Sequence, residues 1–275
     1  MADEKHGPDS PRIERKRDHL GRWTIASEMA RTIAESPSDW SVRMAIYGSW
    51  GTGKTTVLNF IAQLLEKDGH VVANFNPWKY RSSGELWIGF IDSLNNALKD
   101  KGFTFTEFEK FKKSYVDFRN LLKAAKKAHS YADAIGSIGI GIVDEYFTKT
   151  ELESIRKKVG DKRIIVLVDD LDRTDPKLVP QILFAFKEIL DYQGLSFILA
   201  FDPDVVGEIL HEYHKGFKSG LSFLEKIVDF PRWLPPPTQE GLLRIIDEDL
   251  KAFFPRLQAR DVEMFYDYLP HNPRS

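Results

Sequence analysis

Eight residues near the amino terminus constrain this chain more than any other feature of its sequence. From Gly48 to Thr55 they follow the pattern Gly-x-x-x-x-Gly-Lys-Thr, between an apolar run and a run with helical spacing. Glycines let a backbone close around a phosphate so that several N–H groups point inward, and a following helix adds the positive end of its dipole. The pattern therefore predicts a phosphate-binding loop of the Walker A type, joining a β-strand to an α-helix. The residues expected to contact a nucleotide are Gly48, Ser49, Trp50, Gly51, Thr52, Gly53, Lys54, Thr55 and Thr56.

Two side chains of this loop have predicted chemical roles. The Lys54 ammonium is expected to reach the β- and γ-phosphates and to act in catalysis. The Thr55 hydroxyl is expected to bind Mg²⁺. The sequence thus predicts a site for a nucleoside triphosphate and its magnesium ion.

A second motif supplies the carboxylates that such a site needs. Residues 163–168 have the composition of a buried strand and are followed directly by Asp169 and Asp170. Asp169 is expected to hold Mg²⁺ as the Walker B carboxylate, directly or through bound water, and Asp170 to orient and deprotonate the attacking water. The alternative is a surface turn in which Asp170, Asp172 and Arg173 form a local ion pair. For Asp172 and Arg173 the sequence does not separate the two interpretations.

The order of apolar strands and helical segments predicts an α/β fold. Strands that alternate with helices favour a mostly parallel central sheet, here of five strands. The predicted strands are residues 42–47, 70–75, 163–168, 195–201 and 226–230.

The same pattern suggests a division of the chain into a tail, a core and a helical end. Pro and Gly in a polar context mark the tail, and a long helical stretch separates the two motifs. The predicted parts are a flexible tail at 1–17, a P-loop core at 18–237 with a helical insertion at about 76–161, and a helical C-terminal segment at 238–275.

Asp202 stands at the end of the fourth predicted strand, directly before Pro203. An Asp followed by Pro is typical of a helix N-cap and first helical residue. If this strand lies between those that precede the two motifs, Asp202 also comes near the γ-phosphate. We favour the capping interpretation and keep γ-phosphate sensing as the alternative.

Composition and charge exclude several classes of protein. The 39 Lys and Arg nearly balance 41 Asp and Glu, for a formal net charge of −2, which argues against a general polyanion binder. The absence of Cys excludes disulfides, Cys-bound metal centres and thiol catalysis. We expect no signal peptide and no membrane-spanning helix, because no apolar run reaches about 18 residues, and hence a cytoplasmic chain. Residues 99–130 are locally basic, with nine Lys or Arg against four Asp or Glu, which leaves nucleic-acid binding open.

Several motifs taken in order resemble the KAP family of P-loop NTPases. The two Walker motifs alone indicate only a P-loop NTPase, whereas the Trp50 variant of the loop and the flanking motifs are more specific. The resemblance covers nearly the whole chain. Its motifs are D-x-L-G-R (18–22), I-Y-G-S-W-G-T-G-K-T-T (46–56), F-N-P-W-K-Y (75–80), V-D-D-L-D-R (168–173), I-L-A-F-D (198–202), F-L-E-K-I (223–227), L-P-P-P (234–237) and N-P-R (272–274).

The resemblance implies a fold and several further site residues. It implies the ASCE class of P-loop NTPases, in which an additional strand, here that of Asp202, lies between the strands of the two Walker motifs. It implies ATP as the nucleotide. The segment from Asp18 to Arg22 would lie near the base or ribose, or alternatively form a plain helix start. Lys226 falls where related ATPases carry an arginine finger, with a surface ion pair as the alternative, and Arg274 resembles a sensor arginine.

Two departures from the family pattern affect the expectations for partners. Many members carry transmembrane segments between the Walker motifs, but residues 134–143 here are too few to span a bilayer. The basic helix predicted before them at 107–132 could contact a membrane surface peripherally, although packing of its aromatic face on protein is the favoured interpretation. The chain ends at Asn272-Pro273, a pair typical of a helix start, so we expect that it is truncated.

The sequence thus supports three functional hypotheses. The first is an Mg²⁺-dependent ATPase whose hydrolysis drives a conformational change or the assembly of a homo-oligomer or a complex with a protein partner, in bacterial defence or membrane-associated signalling. The second is a nucleotide-gated scaffold that hydrolyses little. The third, a P-loop kinase, would need an Arg-rich lid near the loop, and the sequence offers none.

Overall fold

The computed structural model describes residues 11, 13–103, 155–189, 194–213 and 220–253. Its described strands form one parallel sheet in the order β2-β3-β4-β1-β5. The predicted α/β fold with a five-stranded sheet is therefore confirmed, and β4 lies between β1 and β3 as the resemblance implies. The strands are β1 (Arg43–Tyr47), β2 (Val71–Phe75), β3 (Ile164–Val168), β4 (Leu195–Phe201) and β5 (Phe230–Trp233).

Helices cover the sheet on both sides. The described helices are α1 (Arg22–Glu35), α2 (Lys54–Lys67), α3 (Ser83–Asp100), α4 (Val179–Ile189), α5 (Pro203–Tyr213), α6 (Gly220–Leu224) and α7 (Gln239–Phe253). Three short 3₁₀ turns occur at Arg15–Arg17, Pro77–Lys79 and Leu171–Arg173, and residues 155–159 are helical.

The core has two layers because successive side chains of a strand point to opposite faces of the sheet. In β1, Ala45 and Tyr47 join the cluster formed with α3, α4 and α5. Met44 and Ile46 join the cluster formed with α1 and α2. The continuous apolar runs of β3 and β4 follow from the same geometry, since strands covered on both faces need apolar residues at every position.

The fifth strand corrects the sequence prediction. It was expected at residues 226–230, but β5 begins at Phe230 and includes Pro231. The apolar residues before it are buried in a turn, where Ile227 and Val228 both donate their N–H groups to the Leu224 carbonyl. Proline is tolerated in β5 because this strand is at the edge of the sheet, where a missing N–H leaves no partner unsatisfied.

Several predicted segments lie outside the described residues. They include most of the tail, the basic helix at 107–132, the apolar run at 134–143 and Arg274. The division of the chain into parts stays a prediction. Within the described ranges, no helix combines the length and apolar character needed to cross a membrane.

Candidate functional site

The carboxyl ends of the parallel strands bring the predicted motifs together at one edge of the sheet. The phosphate loop follows β1 and the acidic motif follows β3, with β4 between them. The loop is joined to β4 by a hydrogen bond of 3.4 Å from the Gly48 N–H to the Phe201 carbonyl. The acidic motif is joined to β2 by a bond of 3.0 Å from the Asp169 N–H to the Phe75 carbonyl. Crevices at this edge are the usual ligand sites of open α/β sheets.

Two glycines allow the loop to take its compact shape. A Cβ atom at Gly48 would lie 2.6 Å from the Thr52 hydroxyl, which is closer than any real contact. Gly53, the residue before α2, has a φ of 92°, a backbone conformation that residues other than glycine rarely adopt. The loop also closes on itself, because the Thr52 hydroxyl donates to the Ser49 carbonyl over 2.8 Å.

Lys54 begins α2 and is folded back onto the loop. Its Nζ donates to the carbonyl of Gly48 over 2.8 Å and to that of Ser49 over 3.2 Å. The same Nζ lies 3.6 Å from Oδ2 of Asp172. The ammonium is buried, so these three groups compensate its charge where no phosphate is bound.

Thr55 and Asp169, the two predicted magnesium ligands, are in direct contact. The Thr55 hydroxyl donates a hydrogen bond of 2.7 Å to Oδ2 of Asp169, across a separation of 114 residues in the sequence. Burial raises the pKa of Asp169, the bond from Thr55 opposes that rise, and the negative charge of Asp170 adds to it. A cation placed against Asp169 would favour the ionised carboxylate.

The donor set at this point suits magnesium. A carboxylate and a hydroxyl are hard oxygen ligands, of which Mg²⁺ typically takes one or two from protein and the rest from phosphate and water. Among the described residues no cluster of three or more His, Cys, Asp or Glu could hold a metal by itself. Thr55 and Asp169 therefore fit an ion that arrives with a nucleotide.

Asp170 has a strained backbone, and each oxygen of its carboxylate has a partner. Its φ of 56° places a residue other than Gly in the left-handed region, which costs of the order of 1 kcal/mol. Its Oδ2 accepts a hydrogen bond of 2.8 Å from the Asn76 amide, and its Oδ1 lies 3.4 Å from Nη1 of Arg173. These two contacts restrain the Asp170 carboxylate, whose oxygens have further lone pairs that can accept a hydrogen bond from water.

The surface-turn interpretation of the acidic motif agrees with the 3.4 Å ion pair between Asp170 and Arg173, but it is wrong for Asp172. Its side chain is only 8% exposed and is paired with Lys54 instead of Arg173. Its Oδ1 is buried and has no hydrogen-bond partner among the described residues. The 3₁₀ turn at Leu171–Arg173 directs Asp172 inward, while Arg173 points outward, with its guanidinium carbon 3.8 Å from the centre of the Trp78 ring.

The remaining predicted residues fall in different places. Asp18 caps α1 from three residues before its N-cap Gly21, since its carboxylate accepts the N–H groups of Arg22 over 2.9 Å and Trp23 over 2.7 Å. This is the geometry of the plain helix start. Asp202 starts α5, where its Oδ1 accepts the Asp204 N–H over 3.1 Å. Lys226 is an exposed residue of the turn before β5.

Sequence reasoning missed two contacts of the site. Asn76 belongs to the F-N-P-W-K-Y motif, for which the sequence predicts no chemical role, yet its amide donates a hydrogen bond to the Asp170 carboxylate. The adjacency of β2 and β3 would have suggested this contact, because residues that follow neighbouring parallel strands lie side by side. Arg22 contacts the phosphate loop itself, and the motif D-x-L-G-R carried no signal of that contact.

Comparisons with known proteins agree with this arrangement. The chain is 25% identical over 284 residues to the phage T7 exclusion protein of Escherichia coli (strain K12), covering 92% of this chain and 38% of that protein. Its fold is similar to that of the Aeropyrum pernix ORC2 protein in its ADPNP-ADP complexes, with a TM-score of 0.51, 16% identity, and 96% of this chain aligned to 59% of that one. The chain thus spans less than two thirds of the length of each of these proteins.

The profile of the KAP family P-loop domain matches residues 22–261, from the first residue of α1 to beyond α7. That range includes the phosphate loop, the acidic motif and all five described strands. From the order of these elements and the match over most of its length, the chain belongs to the KAP family of P-loop NTPases.

Proposed function

We propose that this protein binds ATP with Mg²⁺ and hydrolyses it, and that hydrolysis drives a conformational change or assembly. The observation that carries the proposal is the 2.7 Å hydrogen bond between Thr55 and Asp169. It joins the end of the phosphate loop to the acidic motif at the point where a magnesium ion would bridge protein and triphosphate. The buried Lys54 beside them supplies the positive charge for the phosphates.

The phosphate loop and the acidic motif then have separate roles in the proposed reaction. The backbone N–H groups between Gly48 and Thr56 cradle the phosphates, and Lys54 moves from the loop carbonyls to the β- and γ-phosphates. Thr55 and Asp169 would hold Mg²⁺, which would supply charge stabilisation when bound. Asp170 orients the attacking water and accepts its proton.

The biological setting we propose is defence against bacteriophage. It is supported by the relative from Escherichia coli, which is described as an exclusion protein for phage T7. Exposed aromatic side chains close to the site, those of Trp50 and Trp78, suit contact with a second copy or a protein partner, because such residues are enriched at interfaces.

The first experiment is steady-state hydrolysis of ATP and GTP with Mg²⁺, alongside light scattering for the oligomeric state. We expect the Lys54→Ala variant to lose nucleotide binding or turnover. The Asp170→Asn variant should bind ATP like the wild type and lose turnover by roughly a hundredfold or more. Full turnover in Asp170→Asn would refute its assignment as the base.

A second candidate function is a nucleotide-gated scaffold that hydrolyses little. The contacts of Asp170 with Asn76 and Arg173 favour it, because they restrain the carboxylate that would have to orient the attacking water. Turnover per molecule separates the two candidates when it is measured against protein concentration. An ATPase completed by assembly accelerates more than linearly, whereas the scaffold stays slow throughout.

A further inference from the structure

Arg22, the first residue of α1, is a buried cation next to the phosphate loop. Its exposed fraction is 1%, which is rare for an arginine and requires compensating hydrogen bonds. Desolvation lowers its pKa, although an arginine stays charged at any physiological pH. A buried charge of this kind is held in place by its partners and in turn holds them.

Three main-chain carbonyls from separate parts of the chain accept the Arg22 hydrogen bonds. Nε donates to the carbonyl of Thr52 over 3.0 Å, and Nη2 donates to that of Pro235 over 2.9 Å. Nη1 lies 3.4 Å from the carbonyl of Leu20. The guanidinium therefore joins the phosphate loop to the segment that leads from β5 to α7.

The contact with Thr52 sets the direction of a peptide group in the loop. In a planar trans peptide the C=O and the next N–H point in opposite directions. Because the Thr52 carbonyl points at Arg22, the Gly53 N–H points away from Arg22. A Cβ atom on Gly53 would lie 3.3 Å from Arg22 Nε, so the guanidinium also packs directly on the back of this turn.

The contact with Pro235 ties that peptide to a second element. The Leu234 N–H donates to the Tyr47 carbonyl over 2.8 Å, one residue before the loop begins. The segment at Leu234 and Pro235 is thus joined to the loop at two points. Leu234 bonds Tyr47, directly before the loop, and Pro235 is linked through Arg22 to Thr52, near its end. A movement of either Thr52 or Pro235 must break or carry along the Arg22 bond.

We infer that Arg22 is a positioning residue, which holds the Thr52–Gly53 peptide with its N–H directed at the phosphate and couples the loop to the Pro235 segment. This inference rests on the proposed function for its ligand, ATP or ADP. It assigns Arg22 no contact with the nucleotide itself. Its predicted effect is on affinity, through a loop that is shaped before the nucleotide arrives.

The chain provides a matched control in Arg163. This side chain is 2% exposed and also bonds main-chain carbonyls, those of Trp40 over 2.8 Å, Ser36 over 2.6 Å and Pro37. Arg163 directly precedes β3 and therefore lies at the amino ends of the parallel strands, whereas the site lies at their carboxyl ends. The same substitutions are made at both arginines. A general loss of stability should appear at either position, whereas a change in the geometry of the phosphate loop should appear only at Arg22.

The experiment compares Arg22→Met and Arg22→Lys with Arg163→Met and Arg163→Lys. Calorimetric titration with ADP and ATP gives the affinities, and amide hydrogen exchange of residues 48–53 in nucleotide-free protein reports the loop. We expect Arg22→Met to weaken both nucleotides roughly tenfold or more and to speed exchange in the loop. Arg22→Lys should restore part of the affinity, because an ammonium can donate to one carbonyl without spanning two. The Arg163 variants should bind within about twofold of wild type.

Two outcomes would overturn the inference. The first is that both Arg22 variants bind nucleotide with the wild-type affinity and exchange their loop amides at the wild-type rate. The other is an equal loss of affinity in the Arg22 and Arg163 variants, which would reduce Arg22 to general stability. If Arg22→Met does not fold, Arg22→Lys carries the comparison. If the wild type binds no nucleotide, the proposed function fails by itself, while loop exchange still tests Arg22.

Discussion

The charges of individual residues set the resting state of this site. Three carboxylates, those of Asp169, Asp170 and Asp172, follow β3, and the cations that face them are Lys54 and Arg173. A triphosphate brings further negative charge to the same place. Under the proposed function it would draw Lys54 away from Asp172 and the loop carbonyls, so that Asp172 would compete with the phosphates for the lysine.

We expect the Asp172→Asn variant to bind ATP more tightly, by roughly threefold to tenfold. The substitution removes a buried negative charge 3.6 Å from Lys54 Nζ while keeping the size of the side chain, and two unit charges about 4 Å apart interact by about 1 kcal/mol even in water. Titration with ATP at constant ionic strength measures the effect. The control is Asp175→Asn, the same change of charge at a nearby exposed turn. Weaker binding in Asp172→Asn would mean that Asp172 orients Lys54 instead of competing for it.

At the level of elements, the starts of β2 and β3 are joined by a titratable contact. His70, directly before β2, accepts a hydrogen bond at Nδ1 from the backbone N–H of Arg163, directly before β3, over 3.1 Å. Burial lowers the pKa of His70, and the positive charge of Lys162 lowers it further. The folded protein therefore favours neutral His70, whose Nδ1 can accept this bond.

The stability that His70 contributes should be present at neutral pH and lost in acid. Because its pKa is lower in the folded state than in the unfolded state, protonation favours unfolding as the pH falls below about 6.5 and through the folded pKa. The His70→Asn variant keeps an acceptor oxygen and does not titrate. We expect the free energy of unfolding, measured with urea between about pH 7.5 and 5, to fall more steeply in wild type than in His70→Asn. Parallel curves would contradict the role given to His70.

The start of α5 offers a test of the two interpretations of Asp202. Its carboxylate accepts the Asp204 N–H, and removing such a cap costs about 1 kcal/mol. We expect Asp202→Ala to lose about that much stability, whereas Asp202→Asn should keep both the cap and normal ATP turnover. Thermal unfolding and steady-state hydrolysis measure the two effects. Loss of turnover in a stable Asp202→Asn protein would favour γ-phosphate sensing instead.

At the level of the whole molecule, nucleotide binding should stabilise the entire fold. The site is built from β1, β2, β3 and the segment after β5, so a ligand there holds much of the sheet together. At a hundredfold excess over its dissociation constant, a ligand adds about 2.7 kcal/mol to the free energy of unfolding. We expect ATP with Mg²⁺ to raise the melting temperature by roughly 5 to 10 °C, as measured by calorimetry. Lys54→Ala should show no such rise, and an equal rise in that variant would place binding elsewhere.

The sheet was largely predictable because its signals are local. The apolar runs of β1 to β4 are bounded by glycine, proline and aspartate, and the structure matches their predicted positions to within one residue. The prediction failed at β5, where burial of Ile227 and Val228 in a turn produced an apolar run that resembles a strand. Pro231 argued against a strand by its own chemistry, and only its place at the sheet edge makes it acceptable.

The sequence by itself determined the phosphate loop, the acidic motif and the family, because a loop that closes around phosphate needs Gly, Lys and Thr at invariable spacing. Tertiary structure alone decided which side chains face one another. The side chain of Asn76 meets that of Asp170, Lys54 meets Asp172, and Arg22 meets the main-chain carbonyl of Thr52. The members of each pair are far apart in the chain, and no sequence pattern predicts that they touch. Their contacts are set by the order of the strands and by the burial of charge within the folded sheet.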